Sequence, residues 1–257
     1  MTLDPSPDPR VRTSDAVRDT FDEWVRTGKA DGMERRHKRL AELMLERVDL
    51  PADARILDVG CGDGWAARML SPHVPEGAVI GIDVSGEMIL RARRSCRDSS
   101  NVLFAPAEAE TIPWAEEYFT HILSIESAYY WSDPSRVARE MYRVTTHGGA
   151  FHILINYYSE NPFSDGWETE MGLRLHRLSS PQWARVFQEA GFGEVSTERI
   201  PDDSPISAGK TAEQLARREG LQRVGALYVT GRKPILPRSQ RARPRPAANP
   251  FRILRRS

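Results

Sequence analysis

The chain of 257 residues balances 36 Lys and Arg against 36 Asp and Glu, a formal net charge of +0, so its overall charge draws it to neither nucleic acid nor an acidic membrane. Hydrophobic residues at 40% and charged residues at 28% are what one soluble α/β domain with decorations requires, which sets aside fibrous and wholly disordered classes. No run reaches the length of a membrane span, and residues 1–9 lack the basic and apolar stretches of a signal peptide. Cysteine occurs twice, as Cys61 inside a glycine-rich loop and Cys96 on an expected helix, which points to reduced thiols and a cytoplasmic setting.

Residues 1–13 are rich in Pro and Asp and are expected to be disordered. A helical pattern begins at Ser14, with Ala16, Val17, Phe21, Trp24 and Val25 apolar and Ser14 or Asp15 placed to cap it. Gly28 and Gly32 interrupt, and a second amphipathic helix is expected from about Met33 to Val48. Residues 14–49 therefore read as helices that layer a sheet.

Ile56, Leu57 and Val59 make a short apolar run suited to a strand covered on both faces. It breaks into Gly60, Gly62 and Gly64, and a helical segment follows from Trp65. Glycine at alternate positions permits a sharp turn and close approach to main-chain amides, and the following helix N-terminus favours an electron-rich group. A dinucleotide site wants a third glycine where this chain has Trp65, and Asp58 would repel a pyrophosphate.

Ala78 to Asp83 reads as a second buried strand, followed by a helix for which Ser85 is available as a cap. Asp83 lies about 20 residues beyond the glycine loop, the separation at which such folds place an acid on ribose hydroxyls. Asn101 to Phe104 and Phe119 to Ile125 read as strands three and four. A helix is expected over 134–143, closed by Thr146–Gly149, and a fifth strand over Ala150–Ile155. Residues 156–178, with Asn156, Tyr157, Tyr158, Trp167 and His176, break the pattern and read as a substrate-side insert. A helix to Gly191, a helical connection near 211–219 and a final antiparallel pair over 195–200 and 226–230 complete a single domain over 14–233. Residues 234–257 form a tail rich in Pro and Arg with no acid.

In order and spacing, Leu57-Asp-Val-Gly-Cys-Gly-Asp-Gly64, Asp83, Glu108-Ala-Glu-Thr-Ile-Pro-Trp114, the fourth strand and the final hairpin resemble the class I S-adenosylmethionine-dependent methyltransferases. Within them the chain looks most like the small-molecule, quinone-biosynthesis-like group. The resemblance implies a doubly wound, Rossmann-like sheet of seven strands, mostly parallel with a C-terminal antiparallel hairpin, and S-adenosylmethionine as cofactor. It implies a cofactor site at Asp58, Gly60, Cys61, Gly62, Gly64, Asp83, Val84, Met88, Glu108, Ala109 and Ser124, over which the helices of residues 14–49 lie as a lid unless they only layer the sheet. Asp58 then suits a cationic ligand, Glu108 stands where the family usually has Asp for the adenine amino group, and Ala109 would offer its N–H to the ring. No metal is called for.

The reaction implied is methyl transfer to an O, N, S or C nucleophile of a small molecule. A base is optional because alignment alone lowers such barriers; the candidates are Glu126, His152, His176 and Tyr130. Tyr129, Tyr130 and Trp131 are candidates for an aromatic wall, although three neighbours on an extended segment would not all face one way. Three other readings stay open: a non-catalytic S-adenosylmethionine-binding protein, an RNA-directed methyltransferase using the tail, and an NAD-type oxidoreductase. Trp65 and Asp58 speak against the last. Nucleic acid is not the expected partner, and the oligomeric state is not legible.

Overall fold

A computed structural model describes residues 13–206 and 211–235. The expected disorder of residues 1–13 and the tail 234–257 fall outside these residues, except for Thr13, Pro234 and Ile235.

Seven strands form one sheet in the order β3-β2-β1-β4-β5-β7-β6. β1 (Arg55–Val59) lies at its centre, between β2 (Ala78–Asp83) and β4 (Phe119–Ile125), parallel to both. β3 (Val102–Pro106) and β5 (Thr145–Ile155) extend the parallel part, and β7 (Ala226–Arg232) and β6 (Gly193–Ile200) add the antiparallel end. The apolar alternation sorts the strands onto two faces. Leu57, Ile80, Ile122 and Ile153 pack with α5 (Pro134–Val144) and α7 (Ser180–Ala190), around Val137, Met141, Trp183 and Phe187. Ile56, Val79, Leu123 and Leu154 face the opposite way, onto α2 (Met33–Leu45), α3 (Trp65–Leu70) and α4 (Gly86–Ser95). With helices on both faces, β1 is buried from Ile56 to Val59, which is why it reads as continuous apolar sequence.

Helix ends follow local chemistry. Ser85 accepts the Met88 N–H at the start of α4, and Asp133 accepts the Arg136 N–H ahead of Pro134 in α5. Ser179 with Gln182 makes a capping box on α7, and Gly191 ends that helix at φ 107°. Thr211 with Gln214 repeats the box on α8 (Ala212–Val224). α1 (Thr13–Thr27) is tied down where Asp22 accepts both the Ser85 hydroxyl and the Glu87 N–H.

The stretch 145–149 differs from expectation. Thr146–Gly149 does not close α5; Thr145 already pairs with Phe119, and its hydroxyl donates to the Met141 carbonyl at 2.6 Å. Gly148 and Gly149 then pair with Lys233 through two main-chain bonds of 2.8 Å, so the turn extends β5. Lys233 is buried and its ammonium donates to the Tyr142 and Thr145 carbonyls at 2.9 Å each, closing α5 with a cation. Lys233→Met is expected to leave those carbonyls unsatisfied and cost about 1–3 kcal/mol. Urea unfolding reads this directly, and an unchanged midpoint would deny Lys233 that role.

The insert 156–178 also departs from a loop of pure substrate contacts. Tyr157 and Tyr158 are buried in the core, and the Tyr158 hydroxyl donates to the Gly225 carbonyl at 2.9 Å. The short helix α6 (Trp167–Met171) carries the outward part of the insert.

Candidate active site

The strand order reverses at β1, which has β2 on one side and β4 on the other, and the carboxyl ends of these three strands open into a cavity of about 690 Å³. Open α/β sheets bind ligands at this switch point. Ser14, Val17, Phe21 and Trp24 of α1 and Met33, Arg36 and His37 of α2 cover it, while Trp167 and Met171 of α6 and Arg217, Arg218 and Leu221 of α8 close its far side.

The glycine loop forms the floor, but its amides are largely used within the protein. The Gly60 and Cys61 N–H groups both donate to the Ile82 carbonyl at 2.8 and 3.0 Å, Gly62 donates to the Asp83 carboxylate at 2.9 Å, and Gly64 donates to the Cys61 carbonyl at 3.0 Å. The loop therefore leaves few amides free for a ligand and is ill suited to a pyrophosphate, as expected from Asp58 and Trp65. Gly60 sits at φ 77°, and a Cβ there would lie 2.2 Å from the Ser127 hydroxyl oxygen. That glycine makes room for Ser127 of the protein itself.

Of the expected cofactor residues, Gly60, Cys61, Gly62, Asp83, Val84, Met88, Glu108 and Ala109 line the cavity. Asp58, Gly64 and Ser124 do not. Asp58 is buried behind the loop, its Oδ2 without a hydrogen-bond partner among the described residues. At Gly64 a Cβ would strike Phe104 at 2.7 Å, so this glycine serves the packing of β3 on the loop. Ser124 is fully buried and hydrogen-bonds Ser127 at 2.8 Å; Ser127, which the sequence reading missed, is the one that faces the cavity and donates to the Val59 carbonyl.

Asp83 lines the cavity at the end of β2. Its two oxygens accept the Gly62 and Ser85 N–H groups at 2.9 Å each, which fixes the carboxylate at the wall and leaves lone pairs for a ligand. Burial pushes its carboxyl up to about 6, against the pull of those amides. Burial, then the Asp83 charge, pushes Asp58 up to about 7. Two carboxyls this reluctant to ionise side by side favour a cationic ligand. Beside Glu108, the equally close Glu110 accepts the Ser132 and Asp133 N–H groups at 2.6 and 3.2 Å and ties this segment to the start of α5.

The candidate bases separate cleanly. His152 is buried in β5 away from the cavity, bonded through Nδ1 to the Tyr228 hydroxyl at 2.7 Å and stacked on His121. Burial pushes its imidazole down to about 3, so it stays neutral and structural. His176 also lies outside the wall; its backbone N–H donates to the Tyr129 carbonyl at 2.9 Å. Glu126 lines the cavity just past β4, at φ 54°, a left-handed conformation that a glutamate rarely adopts. Its carboxylate accepts the Tyr129 hydroxyl and the Asn156 amide at 3.1 Å each, and burial pushes it up to about 7. Tyr130 lines the cavity too, its hydroxyl donating to the Met171 sulfur at 3.2 Å, and burial pushes its phenol up. Tyr129, Tyr130 and Trp131 all border the space, because residues 128–130 form a 3₁₀ turn instead of a strand. His37 lines the cavity with Nδ1 shut off from solvent and unpartnered, and desolvation pushes it down to about 3.

A carboxylate at the end of β2, a glycine loop with satisfied amides and acids clustered beneath it define a site for a cationic nucleoside cofactor on an open α/β sheet. The methyltransferase domain family matches residues 57–153. The uncharacterized methyltransferase YcgJ of Bacillus subtilis is 32% identical over 184 residues, covering 66% of this chain and 70% of that protein. A solved methyltransferase in complex with the Trm112 methyltransferase activator of Haloferax volcanii is 30% identical with a TM-score of 0.77, covering 83% of this chain and 97% of that one. The 2-methyl-6-phytyl-1,4-hydroquinone methyltransferase 1 of Oryza sativa is 28% identical over 150 residues, 57% of this chain. The chain spans only 43% of that rice enzyme and 48% of the methyltransferase GfsG of Streptomyces halstedii. The chain belongs to the class I S-adenosylmethionine-dependent methyltransferases, and its cofactor is S-adenosylmethionine. Among the described residues no helix is long and apolar enough to cross a membrane.

Proposed function

We propose that this chain methylates an O, N, S or C nucleophile of a small molecule, with Asp83, Val84, Met88, Glu108 and Ala109 holding the cofactor and Glu126 taking the acceptor's proton. The observation that carries this reading is the covered cavity of about 690 Å³, which lies within the roughly 300–1,000 Å³ of small-molecule sites and is walled by aromatic side chains on the acceptor side. S-Adenosylmethionine, when bound, supplies an electrophilic methyl group on a sulfonium. Asp83 accepts ribose hydroxyls, and the Ala109 main chain meets the adenine ring. Tyr129, Tyr130 and Trp131 exclude water, so charge disperses in a poorly solvated space. Glu126, oriented by Tyr129 and Asn156, accepts the proton that the nucleophile sheds as it gains its methyl.

Incubation of a metabolite extract with the enzyme and an isotopically labelled methyl donor is expected to label a small molecule; label appearing only in RNA would overturn the reading. Once an acceptor is in hand, Glu126→Gln is expected to lower turnover roughly 10²- to 10⁴-fold with cofactor affinity intact. Because the carboxylate must be ionised to act and burial holds its pKa near 7, wild-type turnover rises with pH through about 7, and that rise is absent from the variant. Turnover within twofold of wild type would remove Glu126 from the chemistry.

A further inference from the structure

Charge is divided within the cavity. The cofactor half is acidic, with Asp83 and Glu108 on the wall and Asp58 behind the loop. The acceptor half carries the cations. Two of its guanidinium groups are already matched: Arg217 by Glu170 at 2.8 Å and Arg218 by Asp202 at 2.9 Å. Lys29 rests over the Trp24 ring at 4.3 Å. Arg36 is different. It lines the cavity beside Tyr129 and Tyr130, and no carboxylate among the described residues lies within ion-pair distance of it. Arg36 is exposed, so its fork is open to a ligand anion without an ion pair having to be broken first.

The neighbours of Arg36 narrow the ligand further. Phe21 meets Trp24 at 5.0 Å and Tyr130 at 5.1 Å, both edge to face, so flat aromatic surfaces border the space next to the charge. The planar guanidinium fork of Arg36 matches the two coplanar oxygens of a carboxylate.

Building on the small-molecule reading, the geometry points to an aromatic carboxylic acid as the methyl acceptor, with its ring among Phe21, Trp24 and Tyr130, its carboxylate on Arg36 and its nucleophile toward Glu126. Arg36 is then a specificity-determining residue, since an uncharged ring would leave it unpaired.

The test is calorimetric titration of the full-length protein, saturated with S-adenosylhomocysteine, with 4-hydroxybenzoate and with 4-hydroxybenzamide. These share ring and hydroxyl and differ in the charge. The acid is expected to bind at least about tenfold more tightly than the amide. Arg36→Leu is expected to erase that preference without changing affinity for S-adenosylhomocysteine, and Arg36→Lys, which keeps charge but loses the fork, to retain part of it. Equal binding of acid and amide by the wild type, or a preference that persists in Arg36→Leu, overturns the assignment while leaving the small-molecule reading intact. Binding of neither ring compound also overturns the assignment, and the small-molecule reading is then judged by the labelled-donor experiment alone.

Discussion

Gly60→Val is expected to abolish cofactor binding, and for a reason internal to the protein. The new Cβ would lie 2.2 Å from the Ser127 hydroxyl oxygen and 2.5 Å from the Ser127 Cβ, and a β-branched residue would have to hold φ 77°. The conformational strain alone costs of order 1–3 kcal/mol, and the clash must push Ser127 off the Val59 carbonyl and shift the loop. Second-site changes separate the two contributions. Ser127→Ala does not rescue binding, because its Cβ remains in the way; Ser127→Gly removes the clash but not the strain and restores binding in part. Titration with S-adenosylhomocysteine, alongside circular dichroism to show that the sheet has formed, checks the order. A folded Gly60→Val protein that binds within threefold of wild type would mean that the loop tolerates displacement.

Asp83→Ala is expected to weaken cofactor binding by more than the loss of one ligand contact. A charge-assisted bond to the ribose is worth about 1.5–3 kcal/mol, roughly 10- to 100-fold in affinity. The alanine also releases the Gly62 and Ser85 N–H groups, so the loop loses its brace from β2. Asp83→Asn keeps the size and one acceptor oxygen and falls between the two. Affinity also depends on pH in a definite direction. Burial raises the Asp83 carboxyl to about 6, the cationic cofactor prefers it ionised, and so affinity climbs as pH rises through 6 and binding below that pH releases protons. Calorimetry in two buffers of different ionisation enthalpy reads the proton count. Unchanged affinity in folded Asp83→Ala would take Asp83 out of the site.

β1, β2, β4 and β5 were legible because they are largely buried on both faces and so appear as apolar runs, and Asp83 because a strand ends on it. Asp83, Val84, Met88, Glu108 and Ala109 all lie within short reach of such strand ends and reach the cavity. Gly64 and Ser124 belong to the same stretches yet turn into the protein, since the motif fixes the path of the chain without saying which neighbour needs each gap. His152 misled as a candidate base because a histidine on a strand shows its residue type but not its depth. Arg36, His37 and Ser127 were missed for a different reason. The first two sit on α2, whose contact with the cavity is a tertiary arrangement, and the third hydrogen-bonds across to β1, at a separation of 68 residues. Tyr129, Tyr130 and Trp131 escaped a strand-based argument because a single 3₁₀ turn, which no periodicity marks in three residues, redirects them.

The left-handed backbone of Glu126 sets backbone strain against side-chain hydrogen bonding at one position. A glycine there would relax into φ 54° without strain, and an asparagine nearly so, while the glutamate holds it at a cost of order 1–3 kcal/mol. Its carboxylate meanwhile accepts the buried Tyr129 hydroxyl and the Asn156 amide, so a glycine would release the strain only by taking that partner from both donors.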